Sequence, residues 1–131
     1  MRFLVAEDDV SSNRLFQIYL SELGECRSAL DGAEALKLFE EAVNGGDPFD
    51  AVLLDVLMPQ MDGVDVFSRV RSMEARLGLA PTPVVFLSAL GEEDVLGAVE
   101  GDPLVAVVRK PVSRGTLKEA LDRLLGSPGG S

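Results

Sequence analysis

Phe49-Asp50-Ala51-Val52-Leu53-Leu54-Asp55-Val56-Leu57-Met58-Pro59-Gln60-Met61-Asp62-Gly63 is the stretch that decides the fold. Its apolar run, closed by Pro59 and Gly63, predicts a buried strand over residues 51–54 that enters a loop. Asp55 stands at the mouth of that strand. A carboxylate there adds nothing to packing and is well placed for chemistry. On its own such an aspartate could equally cap a loop. Its weight comes from two other strand ends: Glu7-Asp8-Asp9 after the first apolar run, and Lys110-Pro111 after the last.

Outward from this strand, apolar runs alternate with segments of helical period. Strands are predicted at residues 3–6, 25–29, 51–54, 84–87 and 105–108. Between them come helices at about 12–23, with Leu15, Ile18, Tyr19 and Leu23 on one face, and from Asp31, whose spacing to Glu34 suits a capping box. The latter helix carries Ala35, Leu36, Phe39 and Val43 at helical intervals, and Asn44-Gly45-Gly46-Asp47-Pro48 ends it. Further helices run from Val64, with Phe67, Val70, Met73 and Leu77 inward, over residues 92–99, and at about 113–125, with Leu117, Leu121 and Leu124 inward. Strict alternation of five strands with five helices argues for an α/β domain: a parallel sheet covered by helices on both faces. Short right-handed crossovers favour the flavodoxin-like strand order 2-1-3-4-5. Residues 1–125 are expected to form this single domain, and 126–131, Gly-Ser-Pro-Gly-Gly-Ser, a flexible tail.

Composition narrows the function. The 131 residues are 47% hydrophobic and 26% charged, an ordinary globular balance. No apolar stretch has the length of a membrane span, and no signal-peptide pattern opens the chain, so no membrane insertion is expected. The single cysteine, Cys26, has no partner for an internal disulfide and is expected to be a small buried strand residue; a cytoplasmic location fits. Asp and Glu number 22 against 12 Lys and Arg, a net charge of −10, which disfavours direct nucleic-acid binding. Histidine is absent, which excludes Ser–His and Cys–His catalysis and imidazole-based zinc sites.

In a fold of this class ligands gather at the carboxyl ends of the strands. Glu7, Asp8, Asp55, Ser88 and Lys110 all fall there. Converging carboxylates repel by about 4 kcal/mol per pair at 4 Å and an effective dielectric of 20, so the cluster requires a cation. Oxygen ligands without imidazole or thiolate select Mg²⁺ or Mn²⁺. A carboxylate nucleophile, a divalent metal, a lysine counter-charge and a hydroxyl donor together suit phosphoryl transfer.

The assembled pattern resembles the receiver domain of two-component response regulators. It rests on Phe3-Leu4-Val5-Ala6-Glu7-Asp8, on Leu53 to Gly63, on Val84-Val85-Phe86-Leu87-Ser88-Ala89 and on Val108-Arg109-Lys110-Pro111. The resemblance implies that Asp55 is the phosphoacceptor and that Glu7, Asp8, Asp55 and the backbone carbonyl of Leu57 hold Mg²⁺. It makes Ser88 the switch hydroxyl and Lys110 the phosphoryl contact, and puts a cis peptide before Pro111. Asp9 matches no ligand position and is expected to be a solvated charge near the first helix start. The implied donor is a histidine kinase or histidine phosphotransfer protein, and the implied chemistry is Mg²⁺-dependent self-phosphorylation and self-dephosphorylation rather than enzymatic turnover.

Three positions make two departures from the family pattern. Val107 stands where the aromatic switch residue is usual, which undercuts the coupled movement of hydroxyl and ring. Leu57 and Leu90, two residues beyond Asp55 and Ser88, cannot orient an attacking water, so slow autodephosphorylation is expected. A degenerate receiver serving as a phosphorylation-independent interaction module is the alternative. A haloacid-dehalogenase-type phosphatase would want an aspartate at position 57, and a flavodoxin a hydroxyl-rich loop after the first strand. The loop at 78–83 and the start at 8–13 look most like receivers of hybrid histidine kinases. Met1 directly before the first strand suggests a natural N-terminus, of either a standalone regulator or a receiver cut from a longer protein. Output to a downstream protein target is expected through the face of the fourth helix, fifth strand and fifth helix.

Overall fold

A computed structural model describes residues 1–90, 93, 95–99 and 101–126, with backbone alone at 96 and 98. The elements follow as β1 (Arg2–Ala6), α1 (Val10–Ser21), β2 (Glu25–Ala29), α2 (Gly32–Asn44), β3 (Ala51–Asp55), α3 (Gly63–Leu77), β4 (Val84–Ser88), α4 (Leu96–Val99), β5 (Val105–Arg109) and α5 (Arg114–Leu125). All pairings are parallel, and the strand order is β2-β1-β3-β4-β5, as the alternating pattern predicts. The expected start of the fourth helix at residue 92 and the tail at 127–131 lie outside the described residues.

Alternation of side chains along each strand divides the core in two. Leu4, Val52, Leu54, Val84 and Phe86 face one layer with Phe39, Phe67 and Val70 from α2 and α3. Phe3, Val5, Leu53, Val85 and Leu87 face the other with Phe16, Leu20, Leu117 and Leu121 from α1 and α5. Both faces of β1, β3 and β4 are thus covered, and this is why their sequences are unbroken apolar runs. β2 and β5 are the edges: exposed and half-buried residues alternate along β2, and half-buried and buried ones along β5 up to the exposed Arg109.

Helix starts follow local capping. Asp9 caps α1, its carboxylate accepting from the Ser12 amide at 2.9 Å, so the helix begins at Val10 rather than at residue 12. Asp31 caps α2 by accepting from the Glu34 amide. Asp62 with Asp65, and Ser113 with Thr116, form reciprocal capping boxes at α3 and α5. Gly78 ends α3 in the left-handed region, φ 68°, where a side chain would be strained.

The inward face predicted for α1 is right for Tyr19 and Leu23 and wrong for Leu15 and Ile18. Leu15 and Ile18 are 40% and 50% exposed, while Asn13, Phe16 and Leu20 are buried and Tyr19 and Leu23 half-buried. The helix has apolar residues around most of its circumference, and packing on the sheet takes the Phe16 and Leu20 stripe. Leu77 is also exposed, because it lies in the last turn of α3 before Gly78. Cys26 is half-buried on edge strand β2, with burial pushing its thiol up to about 11.

One buried polar cluster escapes sequence reading. Glu74 on α3 is 2% exposed. It accepts from Arg71 Nη1 at 2.9 Å and from the Thr82 amide at 2.6 Å. Arg71 also reaches Asp102 Oδ2 at 2.9 Å and the Thr82 carbonyl at 2.8 Å, with its guanidinium 4.8 Å above the Phe67 ring. Phe67 in turn meets Phe86 edge-on at 5.4 Å. The cluster ties α3 to the loops preceding β4 and β5.

Candidate functional site

β1, β3, β4 and β5 end along one edge of the sheet and deliver the residues that follow them to one place. Asp55 is the last residue of β3 and is 4% exposed. Its backbone is held from below by α3: a Cβ on Gly63 would lie 2.4 Å from the Asp55 carbonyl oxygen, so only glycine permits this approach. The Gly63 amide donates to the Val56 carbonyl at 3.0 Å, fixing the turn.

Glu7 follows β1 and is fully buried. Its Oε2 accepts from the Asp9 amide at 3.2 Å. Asn13, which sequence reading passed over, holds this loop: its Nδ2 donates to the carbonyls of Glu7 and Ala29, both at 3.0 Å. Gln17 completes the set by donating to Asn13 Oδ1 at 2.7 Å. A polar residue in the buried stripe of α1, one turn beyond the acids, was the available signal. Asp9, expected as a solvated charge near the helix start, is exposed and in addition caps the helix, its carboxyl lowered by hydrogen bonds from Ser12.

Lys110, directly after β5, reaches across the carboxylates. Its Nζ lies 3.0 Å from Glu7 Oε1 and 3.2 Å from Asp55 Oδ1. The Lys110–Pro111 peptide is cis. One oxygen from each of Glu7, Asp8 and Asp55 falls within 4.8 Å of the other two, with Glu7 and Asp55 buried and Asp8 exposed. Such a set of carboxylates can hold a divalent cation through hard oxygen ligands.

Protonation equilibria register the crowding. Burial, reinforced by Asp55, raises the Glu7 carboxyl above its ordinary value of 4.5, against the Asp9 amide and Lys110. Asp8 is raised by its own desolvation and by Glu7. Desolvation works to lower the Lys110 ammonium, but Glu7 and Asp55 outweigh it and the net shift is upward. The site therefore has more negative charge than one lysine balances.

Ser88 ends β4, buried, with its Oγ accepting from the Leu90 amide at 3.2 Å. The Leu57 amide donates to Asp55 Oδ1 at 3.3 Å. The side chains of Leu57 and Leu90 project from the rim, 68% and 60% exposed. Val107 sits on β5, half-buried, with its side chain against the α2–α3 layer of the core. The strand ends thus bring Glu7, Asp8, Asp55 and Lys110 into one cluster, with Ser88, Leu57 and Leu90 around it, while Val107 lies inside β5.

The family model for the response regulator receiver domain matches residues 3–122. The chain belongs to that family. This receiver is 35% identical over 121 residues to the sensory/regulatory protein RpfC of Xanthomonas campestris, covering 92% of this chain and 16% of that protein. It is 30% identical to probable histidine kinase 2 of Oryza sativa, covering 92% of this chain and 12% of that protein. The chain thus spans less than a fifth of either curated relative. Among solved structures it is similar to the Vibrio cholerae chemotaxis protein CheY4, with a TM-score of 0.77, 25% identity and coverage of 94% and 97%. It is also similar to the receiver domain of the Arabidopsis thaliana histidine kinase CKI1, solved with Mg²⁺ and BeF₃⁻ (TM-score 0.72, 26% identity, coverage of 91% and 88%). The receiver is of the kind found in two-component systems and homologous to those of histidine kinases, and its acidic cluster is compatible with Mg²⁺. No helix among the described residues is long and apolar enough to cross a membrane.

Proposed function

We propose that this receiver takes a phosphoryl group onto Asp55 from a phosphohistidine of a partner histidine kinase or histidine phosphotransfer protein, and thereby switches a surface read by a downstream protein. The observation that supports this most is Lys110 bridging Glu7 and Asp55 at one end of the sheet. A carboxylate oxygen of Asp55 attacks phosphorus, the bond from phosphorus to the donor imidazole nitrogen breaks, and that nitrogen takes up a proton. Glu7, Asp8, Asp55 and the Leu57 carbonyl would hold Mg²⁺, which supplies positive charge to the phosphoryl oxygens. Lys110 supplies a second positive charge, and the Ser88 hydroxyl donates to the acyl phosphate. The domain performs this on itself and turns over no other substrate. Incubation with acetyl phosphate or beryllofluoride and Mg²⁺ tests it: an adduct at Asp55 is expected, and a chain that forms none would be an interaction module only.

Metal should stabilise the fold in a pH-dependent way. A ligand at 100 times its Kd adds about 2.7 kcal/mol, which corresponds to roughly 10 °C in Tm for a chain of this size. Because the folded-state pKa of Glu7 is raised, the native state of the metal-free chain binds more protons than the unfolded state at and above pH 4.5. The stability this proton contributes is present at low pH and lost as pH rises through the raised value. Mg²⁺ competes with that proton. Thermal melts with Mg²⁺ and with EDTA should therefore differ more at pH 8 than at pH 5, and equal shifts at both would count against Glu7 as a ligand.

The phosphoaspartate should also be long-lived. Leu57 and Leu90 flank Asp55 and Ser88 and offer no group to orient a water. Phosphate release followed with Mg²⁺ present should extend well beyond seconds and quicken in Leu57→Asn. Wild-type decay within seconds would overturn the expectation.

A further inference from the structure

α2 and α3 pack side by side over one core layer, and between them runs an open groove of 460 Å³. Leu36 and the buried Met73 form its floor, and Lys37, Arg69 and Arg76 its walls, with Glu40 as the one carboxylate. This is an unusual place in a chain with 22 acids and 12 bases. None of the three cations makes an ion pair among the described residues, whereas Arg71 on the same helix is engaged by both Glu74 and Asp102. Unpaired surface cations are ordinarily just solvated. Three of them around an apolar floor on two helices form a complementary surface instead.

The spacing indicates what fits. Arg69, Met73 and Arg76 fall at i, i+4 and i+7 on one stripe of α3. The two arginines are set about 10 Å apart along the axis, so they bracket Met73 rather than converge on one compact anion. We propose that the groove receives an acidic amphipathic helix of a partner protein. Its apolar stripe lies on Leu36 and Met73, and its carboxylates, two turns apart, meet Arg69 and Arg76, with Lys37 on the opposite wall.

The test is an NMR titration of the nitrogen-15-labelled chain with a synthetic amphipathic helix that carries a leucine stripe flanked by glutamates. Its control is the same peptide with lysine in place of glutamate. The glutamate peptide should shift amides of α2 and α3 around the groove, and the lysine peptide should not. R69E/R76E should weaken binding about tenfold or more through like-charge contact, and R69K/R76K should retain most of it. Both variants should keep the wild-type circular dichroism and beryllofluoride response at Asp55. The proposal is overturned by no shifts at millimolar peptide, by shifts elsewhere, by equal binding of both peptides or by undiminished binding to R69E/R76E. ATP shifting these amides while the glutamate peptide does not would assign the groove to a compact polyanion and overturn it too.

Discussion

Asp55→Asn is expected to abolish phosphoryl incorporation from acetyl phosphate and from a phosphohistidine donor alike, with no label above background. The amide oxygen that replaces the carboxylate is not a nucleophile of comparable strength, and the substitution also removes a charge from the metal-binding set. The fold should survive. Lys110 keeps its 3.0 Å partner Glu7, and loss of the neighbouring negative charge removes the part of the upward shift of the Glu7 carboxyl that Asp55 adds to its burial. Without metal, the variant should unfold at the wild-type midpoint or above it. Phosphate labelling with mass spectrometric site mapping provides the check. Label retained in Asp55→Asn, on Glu7 or Asp8, would remove Asp55 from its proposed role. Unchanged binding of a partner by this variant would instead favour the interaction module.

Arg71→Ala should cost about 3–5 kcal/mol, the usual penalty for leaving a buried charge without its partner. Glu74 would keep the Thr82 amide at 2.6 Å but lose the guanidinium at 2.9 Å, in a position only 2% exposed. The link to Asp102 and the stacking on Phe67 go with it. Against a total stability of about 5–15 kcal/mol this is a large fraction. The loss should appear as a lower urea midpoint at constant slope. Arg71→Met combined with Glu74→Leu should recover only part of it: the apolar pair removes the uncompensated charge but leaves the Thr82 amide without its acceptor. A midpoint for Arg71→Ala within about 0.5 kcal/mol of wild type, the ordinary range for surface substitutions, would mean that the guanidinium does not hold this cluster together.

The layout of the sheet was legible because β1, β3 and β4 are buried on both faces. Phe3 to Ala6, Ala51 to Leu54 and Val84 to Leu87 have no polar interruption that a helix or an exposed strand would need. The acidic cluster was legible for a related reason: Glu7 and Asp55 are charged residues directly after such runs. Asn13 and Glu74 were not legible. Each is a polar side chain within a helix that bonds a group on a distant element: the Ala29 carbonyl for Asn13, and the loop residue Thr82 for Glu74. Helical periodicity records which positions share a face. It does not record what that face meets.

By itself the sequence determined the number and kind of strands, their order through right-handed crossovers, and the carboxylates and lysine that arrive at one edge. These follow from local rules: unbroken apolar runs for strands buried on both faces, turns signalled by proline and glycine, and ligand sites at strand ends. Tertiary structure alone decided which stripe of α1 faces the sheet, leaving Leu15 and Ile18 outside, and that Lys110 spans Glu7 and Asp55 at hydrogen-bond distance. It also decided that Glu74 is buried and that Lys37, Arg69 and Arg76 share a groove. Each of these depends on how elements distant in sequence meet, and such contacts arise from packing that no local pattern encodes.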